Sequence, residues 1–129
     1  MKRLLLDTHV ILWWLDGGDK IKASVLDLIK DSTNQVFFSA ASVWEIAIKQ
    51  NLGKLEVPDN ILELIERSGF EELPMTAFHS YEAGSLISDH KDPFDRMLIS
   101  QAQAEGLVLV THDKKILSHR IKCIDPIEQ

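Results

Sequence analysis

Short apolar runs that alternate with longer mixed segments are the feature that most restricts how this chain folds. The segments Lys2 to Leu6 and Leu107 to Val110 carry continuous apolar runs, which are typical of strands buried on both faces of a parallel sheet. Gln35 to Phe38, Phe70 to Leu73 and Ile121 to Ile124 are further strands by the same pattern. Helical segments separate these strands, so the sequence predicts an α/β fold with a mainly parallel sheet of four to five strands.

Capping and breaking residues delimit the helices between the strands. Ser39 and Thr76 are suited to cap helix N-termini, Pro93 opens a helix, and Gly53 and Gly106 end helices. The predicted helices cover Thr8 to Leu15, about Lys20 to Lys30, Ala40 to about Asn51, Pro58 to Gly69, Thr76 to about Ile87, Pro93 to about Glu105, and Lys114 to Ser118. A polar loop is predicted from Ser88 to Asp92. No linker or repeat divides residues 1–129, so we predict one domain.

Composition restricts the class of protein. The longest apolar run, Val10 to Leu15, is too short to cross a membrane, and no signal-peptide pattern follows the first residues. The single cysteine, Cys123, agrees with a reducing compartment, and we expect a cytoplasmic protein. The formal charge of −6 argues against a non-specific nucleic-acid binder that relies on counterion release, but not against a nuclease.

Four acidic residues stand where a chain would ordinarily avoid charge. Asp7 follows a strand directly, Asp113 lies shortly after another, Glu45 interrupts an apolar helix, and Asp95 lies in the first turn of a helix. Ligand sites in parallel sheets lie at the carboxyl ends of the strands, where these four side chains can converge. Burying several carboxylates together requires compensation, and a hard divalent cation such as Mg²⁺ provides it. The sequence therefore predicts a metal-dependent active site.

Each of these carboxylates also has a purely structural explanation. Asp7 and Asp113 can cap the helices that follow them, as can Asp92, which precedes a proline. Glu45 can pair with Lys49 one helical turn later. We favour Asp92 as a cap or as a residue that supports the ligands, and of the four metal-site candidates Asp113 is the one for which the capping role competes most strongly.

Neighbouring polar residues add candidates for substrate contact. Thr111 is placed to hydrogen-bond a carboxylate or a water molecule, and Lys49 and Arg96 are placed either to contact phosphate or to pair with the carboxylates. His9 and His112 flank acidic residues, His90 is associated with the loop that orders Asp92, and His79 and His119 are expected at the surface. Of Trp13 and Trp14, adjacent on one helix, one is expected to mark a protein interface.

Four segments together resemble the PIN-domain ribonucleases, and within them the VapC-like toxins of bacterial toxin–antitoxin pairs. They are Leu-Leu-Leu-Asp-Thr-His at 4 to 9, Ser-Val-Trp-Glu-Ile-Ala-Ile-Lys at 42 to 49, His-Lys-Asp-Pro-Phe-Asp-Arg-Met-Leu-Ile-Ser-Gln-Ala at 90 to 102, and Leu-Val-Thr-His-Asp at 109 to 113. The resemblance implies a three-layer α/β/α fold and an endoribonuclease that depends on Mg²⁺ or Mn²⁺. It assigns the metal site to Asp7, Glu45, Asp95 and Asp113, with Thr8 and Thr111 beside it.

The same resemblance implies an RNA substrate, a homodimer and a small antitoxin whose tail blocks the active site. Other phosphoryl-transfer classes fit less well: a haloacid-dehalogenase-type phosphatase needs an acidic residue where His9 stands, and a receiver module needs an Asp after Phe38. The alternative that stays open is a catalytically silent PIN domain that serves as a protein-binding scaffold.

Overall fold

The computed structural model describes residues 1–87, 90–119 and 121–127. In chain order the elements are β1 (Arg3–Leu6), α1 (Thr8–Leu15), α2 (Ala23–Lys30), β2 (Gln35–Ser39), α3 (Ala40–Asn51), α4 (Ile61–Arg67), β3 (Glu71–Leu73), α5 (Ala77–Ser85), α6 (Pro93–Glu105), β4 (Val108–Val110), α7 (Lys114–Leu117) and β5 (Cys123–Ile124). Among these residues no helix is long and apolar enough to span a membrane.

The five strands form one sheet in the order β3-β2-β1-β4-β5, and every neighbouring pair is parallel. The most apolar strand, β1, is at the centre: Leu4, Leu5 and Leu6 are fully buried, and Leu6 lies opposite Phe38 of β2 and Val110 of β4. Successive residues of a strand point to opposite faces, so an unbroken leucine run fills the core on both sides of the sheet.

Two apolar clusters cover the two faces. On one face, Leu4 and Leu6 pack with side chains from α1, α2 and α4. On the other face, Leu5 packs with Leu98 and Ile99 of α6 and with Ile116 of α7. Helices therefore lie on both sides of the sheet, as the predicted three-layer α/β/α architecture requires.

Three predicted helix boundaries were wrong. Helix α2 begins at Ala23, because Lys22 is extended (ψ 150°). Helix α4 begins at Ile61, whose backbone N–H bonds the Pro58 carbonyl in a preceding turn. Helix α5 ends at Ser85, because Leu86 is extended (ψ 129°). Ser88 and Asp89 of the predicted polar loop lie outside the described residues.

Candidate active site

The carboxyl edge of the sheet is where the candidate residues meet. Asp7 is the first residue after β1, and its backbone N–H bonds the Val110 carbonyl at 3.0 Å, so the end of β1 is held against the end of β4. Thr111 follows β4 directly and is fully buried. The central strand and its neighbour thus deliver an aspartate and a threonine to one point.

The Asp7 carboxylate accepts hydrogen bonds from a residue nearby in the sequence and from a distant one. Its Oδ1 accepts the Val10 N–H at 3.2 Å, which caps α1, and its Oδ2 accepts the Thr111 hydroxyl at 2.5 Å. The side chain is buried, and burial raises the pKa of Asp7 above its usual value, although these hydrogen bonds oppose the rise. The predicted cap exists, and it leaves the carboxylate beside the other acidic residues.

Glu45 lies on α3 and is buried with two local partners. The Thr8 hydroxyl is 2.6 Å from Glu45 Oε1 and 2.9 Å from the Ser42 hydroxyl oxygen, and its single proton is best given to the charged carboxylate. Lys49 Nζ lies 2.8 Å from the other carboxylate oxygen, Oε2. This hydrogen bond is the main reason that the pKa of Lys49 is raised. The predicted Glu45–Lys49 pair is therefore present.

Asp92 and Asp95 have different roles at the start of α6. Asp92 Oδ1 accepts the backbone N–H groups of Phe94 at 2.9 Å and Asp95 at 3.1 Å, so it is the predicted N-cap. Asp95 Oδ2 lies 2.9 Å from His90 Nε2. Burial first, and then repulsion from Asp92 and the other nearby carboxylates, raises the pKa of Asp95 to about 7.

Asp113 is also a helix cap. Its Oδ1 accepts the backbone N–H groups of Lys115 at 2.9 Å and Ile116 at 3.1 Å, at the start of α7. Its own N–H bonds the Thr111 hydroxyl oxygen at 3.1 Å, which links it to the group that holds Asp7. Capping occupies only one of its carboxylate oxygens, so the capping role and a ligand role are compatible.

A small cavity of about 100 Å³ collects these side chains. Its lining consists of Asp7, Thr8, His9, Glu45, Lys49, Asp92, Asp95 and Asp113. The predicted metal-site residues thus share one enclosed space, although they come from widely separated parts of the sequence. Their role as metal ligands stays a prediction.

The donor set of this cavity suits a hard divalent cation. Carboxylate oxygens are the ligands that Mg²⁺ prefers. His90 lines the adjacent larger cavity, and its ligand atom and those of Asp95 and Asp113 lie within 4.8 Å of one another, close enough to surround one ion. Burial is the main cause of the raised pKa of Asp95 and repulsion from the nearby carboxylates adds to it, so a bound proton or cation would relieve both.

Family membership follows from the sequence profile of the PIN domain, which matches residues 4–121. The chain belongs to the PIN domain family. This match covers all five acidic residues of the cavity, and the predicted resemblance is confirmed.

Several known proteins are similar to this PIN domain. Ribonuclease VapC22 of Mycobacterium tuberculosis is 25% identical over 123 residues, which are 93% of this chain and 94% of that protein. In the DNA-bound VapBC structure from Salmonella typhimurium, one chain matches with a TM-score of 0.71 at 19% identity, covering 97% of this chain and 98% of that one. A toxin–antitoxin complex from Klebsiella pneumoniae contains a chain with a TM-score of 0.70 at 14% identity, covering 98% and 99%. The fold is therefore confirmed.

Arg96 has a different role from either of those predicted. Its guanidinium donates to backbone carbonyls: Nε to Ala83 at 3.0 Å, Nη1 to His90 at 2.9 Å, and Nη2 to Leu86 at 2.8 Å and Gly84 at 3.4 Å. Arg96 thus holds the end of α5 and the segment after it against α6. A residue next to a carboxylate in sequence points elsewhere on a helix, since neighbours are about 100° apart.

The histidine predictions were partly wrong. His79, expected at the surface, is only 1% exposed. Its Nδ1 accepts the Thr76 N–H at 3.2 Å and its Nε2 lies 2.8 Å from Glu105 Oε2, so it belongs to the capping box of α5. His112 lies 2.9 Å from Asp125 Oδ1. His9 lines the acidic cavity as predicted.

Two residues of the site were missed by the sequence analysis as direct participants. His90 was associated with Asp92 and yet contacts the Asp95 carboxylate. Ser42, one turn before Glu45 on α3, completes the hydroxyl pair with Thr8. The spacing Ser42–Glu45 offers a signal, because residues three apart share a helix face. His90 offers none, since its contact depends on a loop conformation.

The three tryptophans differ in exposure, and the interface predicted at Trp13 or Trp14 stays a prediction. Trp14 is partly buried and donates its indole N–H to the Ser68 hydroxyl at 3.0 Å. Trp13, also partly buried, lines a second cavity between α1 and α4. The most exposed tryptophan is Trp44 on α3, at 57%, in edge contact with Phe94. Trp44 is therefore the better candidate for an interface.

Proposed function

We propose that this PIN domain is a metal-dependent endoribonuclease and the toxin of a toxin–antitoxin pair. The observation that carries the proposal is the cavity where Asp7, Glu45, Asp95 and Asp113 meet at the carboxyl edge of a parallel sheet. Membership of the PIN domain family and similarity to a ribonuclease, VapC22, support the same reaction class.

The cofactor we propose is Mg²⁺, with Mn²⁺ as a substitute. When bound, such an ion lowers the pKa of a water molecule for attack on phosphorus and neutralises charge on the phosphate. Asp7 and Asp95 would hold the ion directly, with Glu45 and Asp113 completing the set. The hydroxyl groups of Thr8 and Thr111 fix the orientation of Glu45 and Asp7 respectively, so these carboxylates are arranged before an ion enters.

Two further side chains that line the cavity, Lys49 and His9, have proposed roles at the site. Lys49 balances the charge of Glu45, and its side chain is 40% exposed, which keeps the ammonium group at the mouth of the cavity. His9 is exposed at the same cavity and is placed to contact substrate.

The partner we propose is a small antitoxin protein, because similar solved chains come from toxin–antitoxin complexes of Salmonella typhimurium and Klebsiella pneumoniae. We also propose a homodimer and a cytoplasmic location. Exposed aromatic side chains, Trp44 on α3 and Phe78 and Tyr81 on α5, support an interface with a second copy. Light scattering on the purified protein tests the dimer, and Trp44→Ser should shift the mass toward the monomer if α3 takes part.

A cleavage assay tests the reaction itself. A mixed pool of structured and single-stranded RNA should be cut in the presence of Mg²⁺ or Mn²⁺ and stay intact with EDTA. Asp7→Asn should abolish cutting, and its circular dichroism spectrum should show that the fold is preserved. Glu63→Gln, the control at an exposed acidic residue of α4, should leave the cutting unchanged. Intact RNA in all of these reactions would favour the catalytically silent scaffold instead.

A further inference from the structure

The basic side chains around the acidic cavity differ in whether they are available to a ligand. Lys49 is paired with Glu45 at 2.8 Å, and Arg96 donates to backbone carbonyls through all three of its nitrogens. Both side chains are therefore engaged by protein groups, and a phosphate would have to compete with those contacts. A chain of net charge −6 with a carboxylate-lined site needs some local positive charge to bring RNA there.

A larger cavity beside the acidic one has such charge. It has a volume of about 590 Å³ and shares Asp92, Asp95 and Asp113 with the acidic cavity. The remaining lining consists of His90, Lys91, Lys114 and Lys115. Because three carboxylates border both spaces, the two cavities are adjacent.

The three lysines of this cavity are not engaged with protein carboxylates. Lys91, Lys114 and Lys115 are exposed, and within the described ranges none forms an ion pair closer than 4.0 Å. By contrast, the cavity on the other side, between α1 and α4, has Asp16 and Glu56 as its charged lining residues and is otherwise mostly apolar. Of these two neighbouring cavities, only the one that borders Asp95 and Asp113 has lysines among its described lining residues.

We infer that the lysine cavity, formed by Lys91, Lys114 and Lys115, binds the phosphodiester backbone of RNA on one side of the scissile phosphate. The inference rests on the proposed ribonuclease function and adds the substrate's binding path. Phosphates beyond the acidic cavity on this side meet three ammonium groups, whereas on the α1–α4 side they meet none. Binding should therefore depend on backbone charge along one flank of the cleavage point.

Salt-dependent binding of a fluorescein-labelled oligouridylate tests this path without relying on cleavage. Fluorescence anisotropy is measured with Ca²⁺ in place of Mg²⁺, and a gel confirms that the oligonucleotide stays intact. The variant is the triple change Lys91→Ala, Lys114→Ala and Lys115→Ala. The control is Lys20→Ala, Lys30→Ala and Lys54→Ala, which alters net charge equally at exposed lysines that line none of these cavities.

The expected result is a smaller slope of log affinity against log salt for the cavity variant alone. Each lysine that neutralises one phosphate of a single strand contributes about 0.7 to the slope, so three contribute about 2. This change corresponds to roughly a hundredfold weaker binding at 0.1 M salt. Equal slopes in the two triple variants, or no salt-dependent binding by the unmodified protein, would overturn the inference.

The same two variants separate this inference from the proposed function. A lysine-dependent slope in a protein that never cuts RNA overturns the nuclease and supports the binding path. Metal-dependent cutting with an unchanged slope does the reverse. All three lysines are exposed, and the loss of Lys114 and Lys115 removes no side-chain hydrogen bond among the described residues, so the fold should survive the changes.

Discussion

Glu45 and Asp95 line the same cavity, but their electrostatic surroundings differ. Glu45, on α3, is 6% exposed and has partners from the chain itself, the Thr8 hydroxyl and the Lys49 ammonium. Asp95, on α6, has Asp92, Asp113, Asp7 and Glu45 as its electrostatic neighbours, and their repulsion adds to burial in raising its pKa to about 7. Glu45 is thus paired with an ammonium group, whereas the partner of Asp95 among the described residues is the imidazole Nε2 of His90, at 2.9 Å.

This difference indicates which part of the site needs a bound proton or cation to offset its negative charge. The α1–α3 side, containing Thr8, Glu45 and Lys49, is complete as a hydrogen-bonded unit. The α6–α7 side, containing Asp95 and Asp113, remains crowded with negative charge until a proton or a cation is bound. We therefore expect metal binding to depend most on the α6–α7 side and folding stability to depend most on the α1–α3 side.

The largest expected effect is the loss of cleavage in Asp95→Asn. Removing a proposed direct ligand should reduce metal-dependent RNA cleavage by roughly a thousandfold, whereas Glu45→Gln, at a position with protein partners, should reduce it by about 10–100-fold. Initial rates on one RNA at saturating Mg²⁺ give the comparison. Equal losses in the two variants would remove the distinction between the sides.

Stabilisation by metal should be the next largest effect. An ion that binds only the folded state at a hundredfold excess over its Kd adds about 2.7 kcal/mol to the free energy of unfolding. Mg²⁺ should therefore raise the melting temperature of the unmodified protein and leave that of Asp95→Asn almost unchanged. Calorimetry in Mg²⁺ and in EDTA measures this, and an equal rise in both proteins would contradict it.

Without metal, the two carboxylates should affect stability with opposite signs. Glu45→Gln should lower the free energy of unfolding by about 1–3 kcal/mol, because a buried charged hydrogen-bond partner of Thr8 and Lys49 is lost. Asp95→Asn should raise it near pH 8, because a charge that burial and repulsion both disfavour is removed. Urea titration in EDTA gives both values, and a loss of stability in Asp95→Asn would refute the crowding argument.

The gain in Asp95→Asn should also depend on pH. The pKa of Asp95 is about 7 in the folded protein against an ordinary 3.8, so the folded state binds a proton more tightly than the unfolded chain. Raising the pH from about 4 to about 7 therefore lowers the stability of the unmodified protein through this group. The advantage of the variant should shrink as the pH falls through this window and vanish below it.

The smallest expected effect is the difference in stability between two ion pairs, each of which joins residues four apart on a helix. Lys49→Met leaves Glu45, whose side chain is 8% exposed, without its ion partner and should cost about 1 kcal/mol. Arg67→Met breaks the Glu63–Arg67 pair, in which both side chains are more than half exposed, and should cost a few tenths of a kcal/mol, about the worth of a surface pair. Equal costs would mean that burial of Glu45 adds nothing.

Helix boundaries show how far local signals reach. Pro93 opens α6 and Gly106, in a left-handed conformation (φ 66°), ends it, both as predicted. The helix start predicted at Pro58 was wrong, because the chain makes a turn there and α4 begins only at Ile61. Proline fixes one dihedral angle that is shared by helix starts and turns, so it cannot distinguish between them.

Arg96 marks where local signals fail at the site. Its position next to Asp95 suggested a phosphate contact or an ion pair, and it instead holds backbone carbonyls at the end of α5. Those carbonyls are exposed to it only because α5 packs against α6 and stops at Ser85. No residue near Arg96 in the sequence encodes that arrangement.

What the sequence by itself determined is the order of strands and helices and the placement of acidic residues where they end, because apolar periodicity and capping act over a few residues. Only the tertiary structure decided the partner of each carboxylate. Thr8 meets Glu45 across 37 residues, and Thr111 meets Asp7 across 104. Such contacts depend on strand order and helix packing, which arise from the whole core, and they decide which carboxylate is paired with an ammonium group and which is not.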